Sequence, residues 1–237
     1  MKKAVTLAVA CVMVAGASFA QIAQDQASNY TDWASNDNEG TGFGPWSLST
    51  SGDAGSGLFG TAVGDPSFGL WSESGGNSTA LRPFAEALNA GDEFSFNVGH
   101  TANIATGAEI GFTFWSDGAP VLTWKFVGGE AAWLMNDGGS DFGAGQDYAA
   151  DTSLAFSLTY EGGDFYSYTF GTGSGSNFEA NNDLSAGIDA FSVFNSGQGG
   201  GENIGFDNIE IIPEPGTIAL LALGILGLAG LRRRIAK

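Results

Sequence analysis

The sequence predicts an all-β protein, a jelly-roll-like two-sheet sandwich, with an N-terminal signal peptide and one C-terminal transmembrane helix. Clusters of Gly, Asn, Ser and Asp recur about every 8–12 residues, as turns do between short strands. Between these clusters apolar residues alternate with polar or small ones, which is the period of a half-buried strand. The chain is also rich in aromatic residues, with 18 Phe, 6 Trp and 5 Tyr, and these supply material for one large core.

Residues 1–20 have the features of a cleaved export signal. Lys2 and Lys3 form a basic start, Ala4–Ala15 is apolar, and Ser18-Phe19-Ala20 offers the small residues that signal peptidase reads. Cleavage after Ala20 removes Cys11, which is the only cysteine, so the mature chain has no disulfide. A lipoprotein cut before Cys11 is the alternative, but it leaves an apolar stretch of only seven residues.

Residues 21–212 form the predicted β-sandwich domain of ten to twelve strands, hereafter the body. Pro83–Asn89 is its one helix-like stretch. The Gly-rich segments Asn136–Gln146, Gly171–Asn182 and Asn195–Asn203 are expected to be irregular or mobile loops. The alternating segments are Phe94–Val98, Ile110–Phe114, Leu122–Phe126, Leu154–Tyr160, Tyr166–Phe170, Ile188–Ala190, Ile204–Phe206 and Ile209–Ile211.

Charge is strongly segregated along the chain. The body holds 25 of the 26 acidic residues but only Arg82 and Lys125 of the eight basic ones, so its net charge is about −23. Nucleic acid is excluded as a partner because phosphate binding needs Lys and Arg.

Catalytic motifs are weak, and we expect the protein not to be an enzyme. His100 is the only histidine, and its place at the end of a predicted strand favours a plain surface role. No G-x-S-x-G occurs, and no Cys/His zinc set exists. Gly55–Gly60 fits G-x-G-x-x-G but lacks the helix that presents a phosphate site. The acidic pairs that a glycosidase needs show no motif spacing.

Two ligand classes stay open for the body. Asn36–Gly40 and Asp137–Asp141 offer oxygens in flexible turns, which suits calcium, although neither has the EF-hand spacing and Asx-rich turns are common without metal. No other cofactor is expected. Carbohydrate binding would need exposed aromatic residues near polar turns, and the candidates are Trp33, Trp46, Trp71 and Trp133. A tryptophan in a sandwich, however, is more often packed in the core or on a strand face.

The last 25 residues carry three signals in a fixed order. Pro213-Glu214-Pro215 is extended, because proline neither continues a helix nor donates to a sheet. Ile218–Leu231 is an uncharged apolar stretch, predicted to be a short membrane helix of about 21 Å. Arg232, Arg233 and Arg234 form a basic stop that should stay cytoplasmic.

Residues 213–237 resemble the PEP-CTERM sorting signal of Gram-negative bacteria that make extracellular polysaccharide. The resemblance implies processing by exosortase near Pro213, Glu214 and Pro215, and anchoring in the inner membrane before that step. It predicts an exported protein of the cell surface or extracellular matrix. For the body, the leading hypothesis is a non-enzymatic structural protein, and the alternative is a module that binds extracellular polysaccharide. Gly205–Ile211 also resembles the closing strand of jelly-roll carbohydrate-binding modules, which concerns the fold.

Overall fold

The computed structural model describes residues 23–100, 104–197 and 202–213. These residues form fifteen β-strands and one 3-10 helix, Ala27–Asn29. The strands are β1 (Ala23–Asp25), β2 (Ser47–Ser51), β3 (Ala54–Phe59), β4 (Ser67–Ser72), β5 (Asn77–Pro83), β6 (Glu93–His100), β7 (Glu109–Ser116), β8 (Ala119–Val127), β9 (Ala132–Asn136), β10 (Phe142–Asp147), β11 (Ser153–Gly162), β12 (Phe165–Phe170), β13 (Gly173–Glu179), β14 (Ala190–Ser196) and β15 (Glu202–Ile212).

The strands form two antiparallel sheets packed face to face. One, the eight-stranded sheet, has the order β13-β12-β11-β6-β15-β4-β3, with β1 also paired to β15. The other, the seven-stranded sheet, has the order β10-β9-β8-β7-β14-β5-β2. The predicted all-β two-sheet sandwich is confirmed, with more strands than the expected ten to twelve.

The two ends of the chain lie outside the described residues. The signal peptide and the membrane helix therefore stay predictions. Within the described part of the chain, no helix has the length and apolar character needed to cross a membrane.

The aromatic residues of the alternating segments form the inner faces of the two sheets. Phe94 and Phe96 of β6 pack against Phe112 and Phe114 of β7 across the sandwich, with ring centroids 4.9 Å apart for Phe96 and Phe112. Phe156 of β11 lies 4.7 Å from Phe112. Each of these rings is buried, and burial of such a side chain contributes roughly 1.5–3 kcal/mol.

Pro83–Asn89 is not helical, contrary to the sequence prediction. Pro83 ends β5, and the backbone N–H groups that follow it bond to distant segments. Phe84 donates to the carbonyl of Asp189 at 2.7 Å, and Leu88 donates to that of Ile188 at 2.8 Å. Hydrogen bonds to these distant segments therefore replace the helical hydrogen bonds that residues 83–89 would otherwise form.

Two of the predicted Gly-rich loops contain strands. Asn136–Gln146 includes most of β10, and Gly171–Asn182 includes β13, which are the edge strands of the two sheets. A Cβ on Gly173 would lie 2.3 Å from the carbonyl oxygen of Ala144. Glycine here permits a close approach of the two edges, so the expectation of irregular backbone is wrong for these segments. Part of the third segment, residues 198–201, lies outside the described residues.

A fully buried ion pair holds the N-terminal segment to the sandwich. The Arg82 Nη2 atom on β5 lies 2.7 Å from Asp25 Oδ2 on β1, and both side chains are 0% exposed. Tyr30 Oη and Trp46 Nε1 also donate to Asp25 Oδ2, at 2.9 and 3.1 Å. Arg82 stacks over the Trp46 ring at 4.9 Å and donates to the carbonyl of Asp37.

Burial shifts the titration of this cluster. Desolvation raises the pKa of the Asp25 carboxyl, and the Arg82 guanidinium opposes that rise. Desolvation also lowers the pKa of Arg82. Beside these charges, burial and then Asp25 raise the pKa of Tyr30 to about 12. A Cβ on Gly40 would lie 2.6 Å from the Asp25 carboxylate carbon, so Gly40 packs tightly over the ion pair. The cluster is therefore closed to ligands and serves the fold.

Candidate ligand-binding face and sorting tail

Three of the four tryptophans considered for carbohydrate binding lie in the core. Trp33, Trp46 and Trp133 are 3%, 1% and 0% exposed. Trp33 and Trp46 pack edge to face at 5.2 Å, which is a core arrangement. They are therefore core residues, the commoner role of tryptophan in a sandwich, and do not supply the exposed aromatic residues that carbohydrate binding would need. Trp71 is half-buried on the outer face of the eight-stranded sheet, where a Cβ on Gly55 would lie 2.6 Å from its ring.

His100 is buried, so its predicted surface role is also wrong. It is 1% exposed at the end of β6 and stacks on Tyr148 with ring centroids 4.6 Å apart. The hydroxyl of Tyr148 lies 3.4 Å from His100 Nδ1. The imidazole therefore packs within the sandwich.

The two turns considered for calcium use their side-chain oxygens internally. Asp37 Oδ2 accepts from the Ala34 backbone N–H at 2.7 Å. Asp137 Oδ1 accepts from the Asn181 amide at 2.8 Å, and its Oδ2 accepts from the Tyr166 hydroxyl at 3.3 Å. In residues 23–100, 104–197 and 202–213, no group of three His, Cys, Asp or Glu side chains is placed to hold a metal.

The outer face of the seven-stranded sheet carries aromatic residues that sequence reasoning missed. Trp115 on β7 and Phe194 on β14 are half-buried and point away from the core. The sequence indicates their direction through the alternation of side chains along a strand. Trp115 follows the inward residues Phe112 and Phe114 by an odd step, so a strand must direct it outward. Phe194 likewise follows the buried Val193.

A tight hairpin fixes the position of Trp115. Asp117 and Gly118 join β7 to β8 with positive φ angles of 49° and 74°, the conformation of a two-residue Asp-Gly hairpin turn. The pairing register with β8 shifts between Phe114 and Trp115, next to the turn, as it does at a β-bulge. Trp115 Nε1 donates to Ser192 Oγ on the neighbouring strand at 2.9 Å, which locks the ring across the sheet.

Trp115 lines a shallow depression of about 340 Å³ at this end of the sheet. Leu81, Pro83 and Ala190 provide apolar surface, and Asp189 provides a carboxylate. Asp189 Oδ2 accepts from the Asp117 backbone N–H at 3.1 Å, so the acid is held at the rim by the hairpin. An aromatic ring beside apolar surface and a fixed carboxylate suits a small polar ligand with one apolar face.

Farther along the same face, the partly exposed cation Lys125 is neutralised. Lys125 Nζ lies 2.9 Å from Asp141 Oδ2 and 3.6 Å from Glu109 Oε1. The hydrogen bond to Asp141 is the main cause that raises the pKa of Lys125. Asn136 and then Lys125 lower the pKa of Asp141. Both basic residues of the body, Arg82 and Lys125, are thus committed to carboxylates.

The eight-stranded sheet has a different outer face. Two adjoining depressions of about 390 and 440 Å³ share Ser157 and Thr169, whose hydroxyls are 2.9 Å apart. Their lining is rich in hydroxyl and carboxyl groups. Phe165 on β12 and Phe178 on β13 of this sheet are exposed, whereas the half-buried Trp115 and Phe194 lie on the seven-stranded sheet.

Of the predicted sorting residues, Pro213 is described and directly follows β15. Glu214, Pro215 and the three arginines Arg232, Arg233 and Arg234 lie outside the described residues. Residues 212–234 match the family described as the PEP-CTERM protein-sorting motif. The tail is thus a PEP-CTERM sorting motif, and its resemblance in the sequence is confirmed.

Comparison of the fold finds distant relatives of the body. A carbohydrate esterase from the Shiga toxin-encoding bacteriophage phi24B is 12% identical, with a TM-score of 0.52 over 81% of this chain and 99% of that chain. The globular domain of T. cruzi calreticulin is 10% identical, with a TM-score of 0.51 over 77% of this chain and 90% of that chain. At these identities the likeness concerns the fold alone. A comparison with curated proteins finds no match.

Proposed function

We propose that this protein is an exported, non-enzymatic component of the cell surface or extracellular matrix of an exopolysaccharide-producing Gram-negative bacterium. The observation that carries the proposal is the PEP-CTERM motif at residues 212–234, which implies export and sorting by exosortase. Signal peptidase acts at Ala20, and the apolar stretch Ile218–Leu231 anchors the chain in the inner membrane before exosortase acts.

The interior of the body supports a non-enzymatic role. The single histidine is buried against Tyr148, and the buried Asp25–Arg82 pair is covered by Gly40. Neither lines one of the outer-face depressions described above. Their placement favours structure over chemistry.

A chain that ends at Ile212 tests the sorting part of the proposal. It keeps residues 1–20 and should be exported, but it should not be retained on membranes. The full-length chain should be found first in the membrane and then in a shortened surface or matrix form. Retention of the shortened chain in the membrane fraction would contradict the proposal.

A second function, glycan binding by the body, is favoured by the Trp115 depression. Sugar rings stack their apolar C–H faces on aromatic rings, and Trp115 is held in place for such contact by Ser192. One protein of similar fold is described as a carbohydrate esterase, but the low identity leaves the ligand to be argued from this face. The face supplies a preformed aromatic surface, Trp115, and a fixed polar group, Asp189, as small-ligand sites do.

A glycan array separates the structural and the binding roles. The exported full-length protein, purified in detergent, should show saturable binding that Trp115→Ala weakens about tenfold. Trp71→Ala removes a half-buried indole from the opposite sheet and is the matched control, which should bind like the wild type. If the wild type binds no glycan on the array, glycan binding is rejected and the structural role stands.

A further inference from the structure

We propose that the Trp115 depression binds a glycan that carries protonated amino groups, such as a de-N-acetylated hexosamine polymer. This inference rests on the glycan-binding function proposed above and names its ligand class. It is carried by three observations: the charge at the depression, the groups that the indole leaves available, and the state of the two cations of the body.

The charge at the depression is negative. Asp189 lines it, and Asp117, at the tip of the hairpin, is exposed beside it. The Asp117 N–H fixes the Asp189 carboxylate at 3.1 Å, and neither cation among the described residues, Arg82 or Lys125, forms an ion pair with it. An ammonium group on a ligand would gain a charge-assisted hydrogen bond there.

The half-buried indole of Trp115 lines the depression, so part of the ring meets a ligand that enters it. Its N–H already donates to Ser192 Oγ, so the ring offers its π-system rather than a donor. Tryptophan is the aromatic residue that attracts a cation most strongly over its face. An amino sugar combines both features, since an apolar ring face stacks on the indole while the ammonium lies beside the ring and the carboxylate.

The two cations of the body are unavailable to an acidic polymer. Arg82 is buried on Asp25, and Lys125 is bound by Asp141 and Glu109. A uronic acid or sulfated chain would meet a body of net charge about −23 without a cation to pair with. This charge repels polyanions and attracts polycations over distances of about 10 Å at ordinary ionic strength.

Titration calorimetry with three short oligosaccharides of equal length tests the proposal. The probes are a glucosamine oligomer, its N-acetylated counterpart and an oligomer of uronic acid, each added to the exported full-length protein in detergent. The glucosamine oligomer should bind at least about tenfold more tightly than the other two. Its binding should weaken about tenfold in Trp115→Ala and stay unchanged in Trp71→Ala.

Asp189→Asn supplies a sharper variant. An asparagine keeps an oxygen that accepts from the Asp117 N–H but removes the charge, so the hairpin should stay intact. We expect this variant to lose most of the preference for the free amine while it still binds the N-acetylated oligomer.

Two results would overturn the inference. Equal affinity for the amine and its N-acetylated counterpart, lost in both cases on Trp115→Ala, would leave glycan binding standing but reject the amino preference. Undiminished binding of the glucosamine oligomer to Trp115→Ala would show general attraction to an acidic surface instead of a site. If no oligosaccharide or array glycan binds, the glycan-binding function itself fails.

Discussion

At the scale of single residues, the buried Arg82–Asp25 pair should dominate stability. Arg82→Met keeps an unbranched side chain but leaves a buried carboxyl without its cation, so the free energy of unfolding should fall by about 3–5 kcal/mol. Urea unfolding measures the loss. Lys125→Met breaks the half-exposed ion pairs on the outer face and is the control, with an expected loss of about 1 kcal/mol or less. Similar losses in the two variants would contradict this account of the buried cluster.

Tyr30 should make the fold sensitive to alkali. Its pKa is raised from 10.0 to about 12 in the folded state by burial and by Asp25. Above pH 10 the unfolded chain releases the Tyr30 proton while the folded chain retains it, so this contribution to stability is lost between pH 10 and 12. Unfolding free energies measured across this range should fall less steeply in Tyr30→Phe than in the wild type. Identical slopes would show that Tyr30 titrates normally.

The residues of the candidate face show what sequence reasoning reaches and what it misses. Alternation alone places Trp115 and Phe194 outward once their strands are recognised. It does not show that Ser192 binds the indole or that Asp189 lies at the rim, because those contacts depend on the register between β7 and β14. Trp33 and Trp46 lie near polar turns in the sequence, which made them candidates for carbohydrate binding, but their rings fill the core.

At the scale of elements, the packing of Phe194 on the outer face needs a glycine in β7. A Cβ on Gly111 would lie 2.3 Å from the Trp124 carbonyl oxygen and 2.7 Å from the Phe194 ring, which lies across this position. Gly111→Ala should therefore lower the free energy of unfolding by about 1–3 kcal/mol, as overpacking does. Gly143→Ala in β10 is the control, since a Cβ there meets nothing within 4 Å. Thermal unfolding of both variants checks the difference, and equal effects would contradict the close packing.

The two Asx-rich turns should not respond to calcium. Their carboxylates already accept hydrogen bonds from Ala34, Asn181 and Tyr166, so a cation would have to displace these donors. We expect the Tm to be the same in millimolar calcium and in EDTA. A saturable rise in Tm with calcium would reveal a site and contradict this expectation.

The strands that the sequence predicts well are those with aromatic alternation, namely β6, β7, β8, β11 and β12. The sequence does not indicate the edge strands β10 and β13, because Gly143, Gly145, Gly173 and Gly175 interrupt the alternation of apolar and polar residues. Of these, Gly145 and Gly173 permit the close approach of the two sheet edges, as at Gly173 against Ala144, whereas a Cβ on Gly143 would meet nothing. A local pattern cannot distinguish a glycine that permits contact from a glycine that permits motion.

At the scale of the whole molecule, composition and periodicity were enough for the all-β sandwich but not for its ligand. The first and last strands of the body pair with each other, Ala23 opposite Ile211, so the chain enters and leaves the sandwich at one place. Ala23, the first described residue, therefore lies near the point where Pro213 starts the sorting motif. The role of that motif follows from the sequence of the tail, independently of the body.

The central claim is that Pro213, Glu214 and Pro215 direct processing, while other segments direct export and insertion. Gel mobility of an epitope-tagged protein in membrane and medium fractions tests it, with all three residues changed to Ala. Export by residues 1–20 and insertion by Ile218–Leu231 should persist, so a full-length, membrane-bound form should accumulate. Deletion of Arg232–Arg234 is the control, since it should weaken membrane retention without protecting the motif. If the triple-Ala protein is shortened and leaves the membrane like the wild type, the motif is only a tether and the sorting function is contradicted.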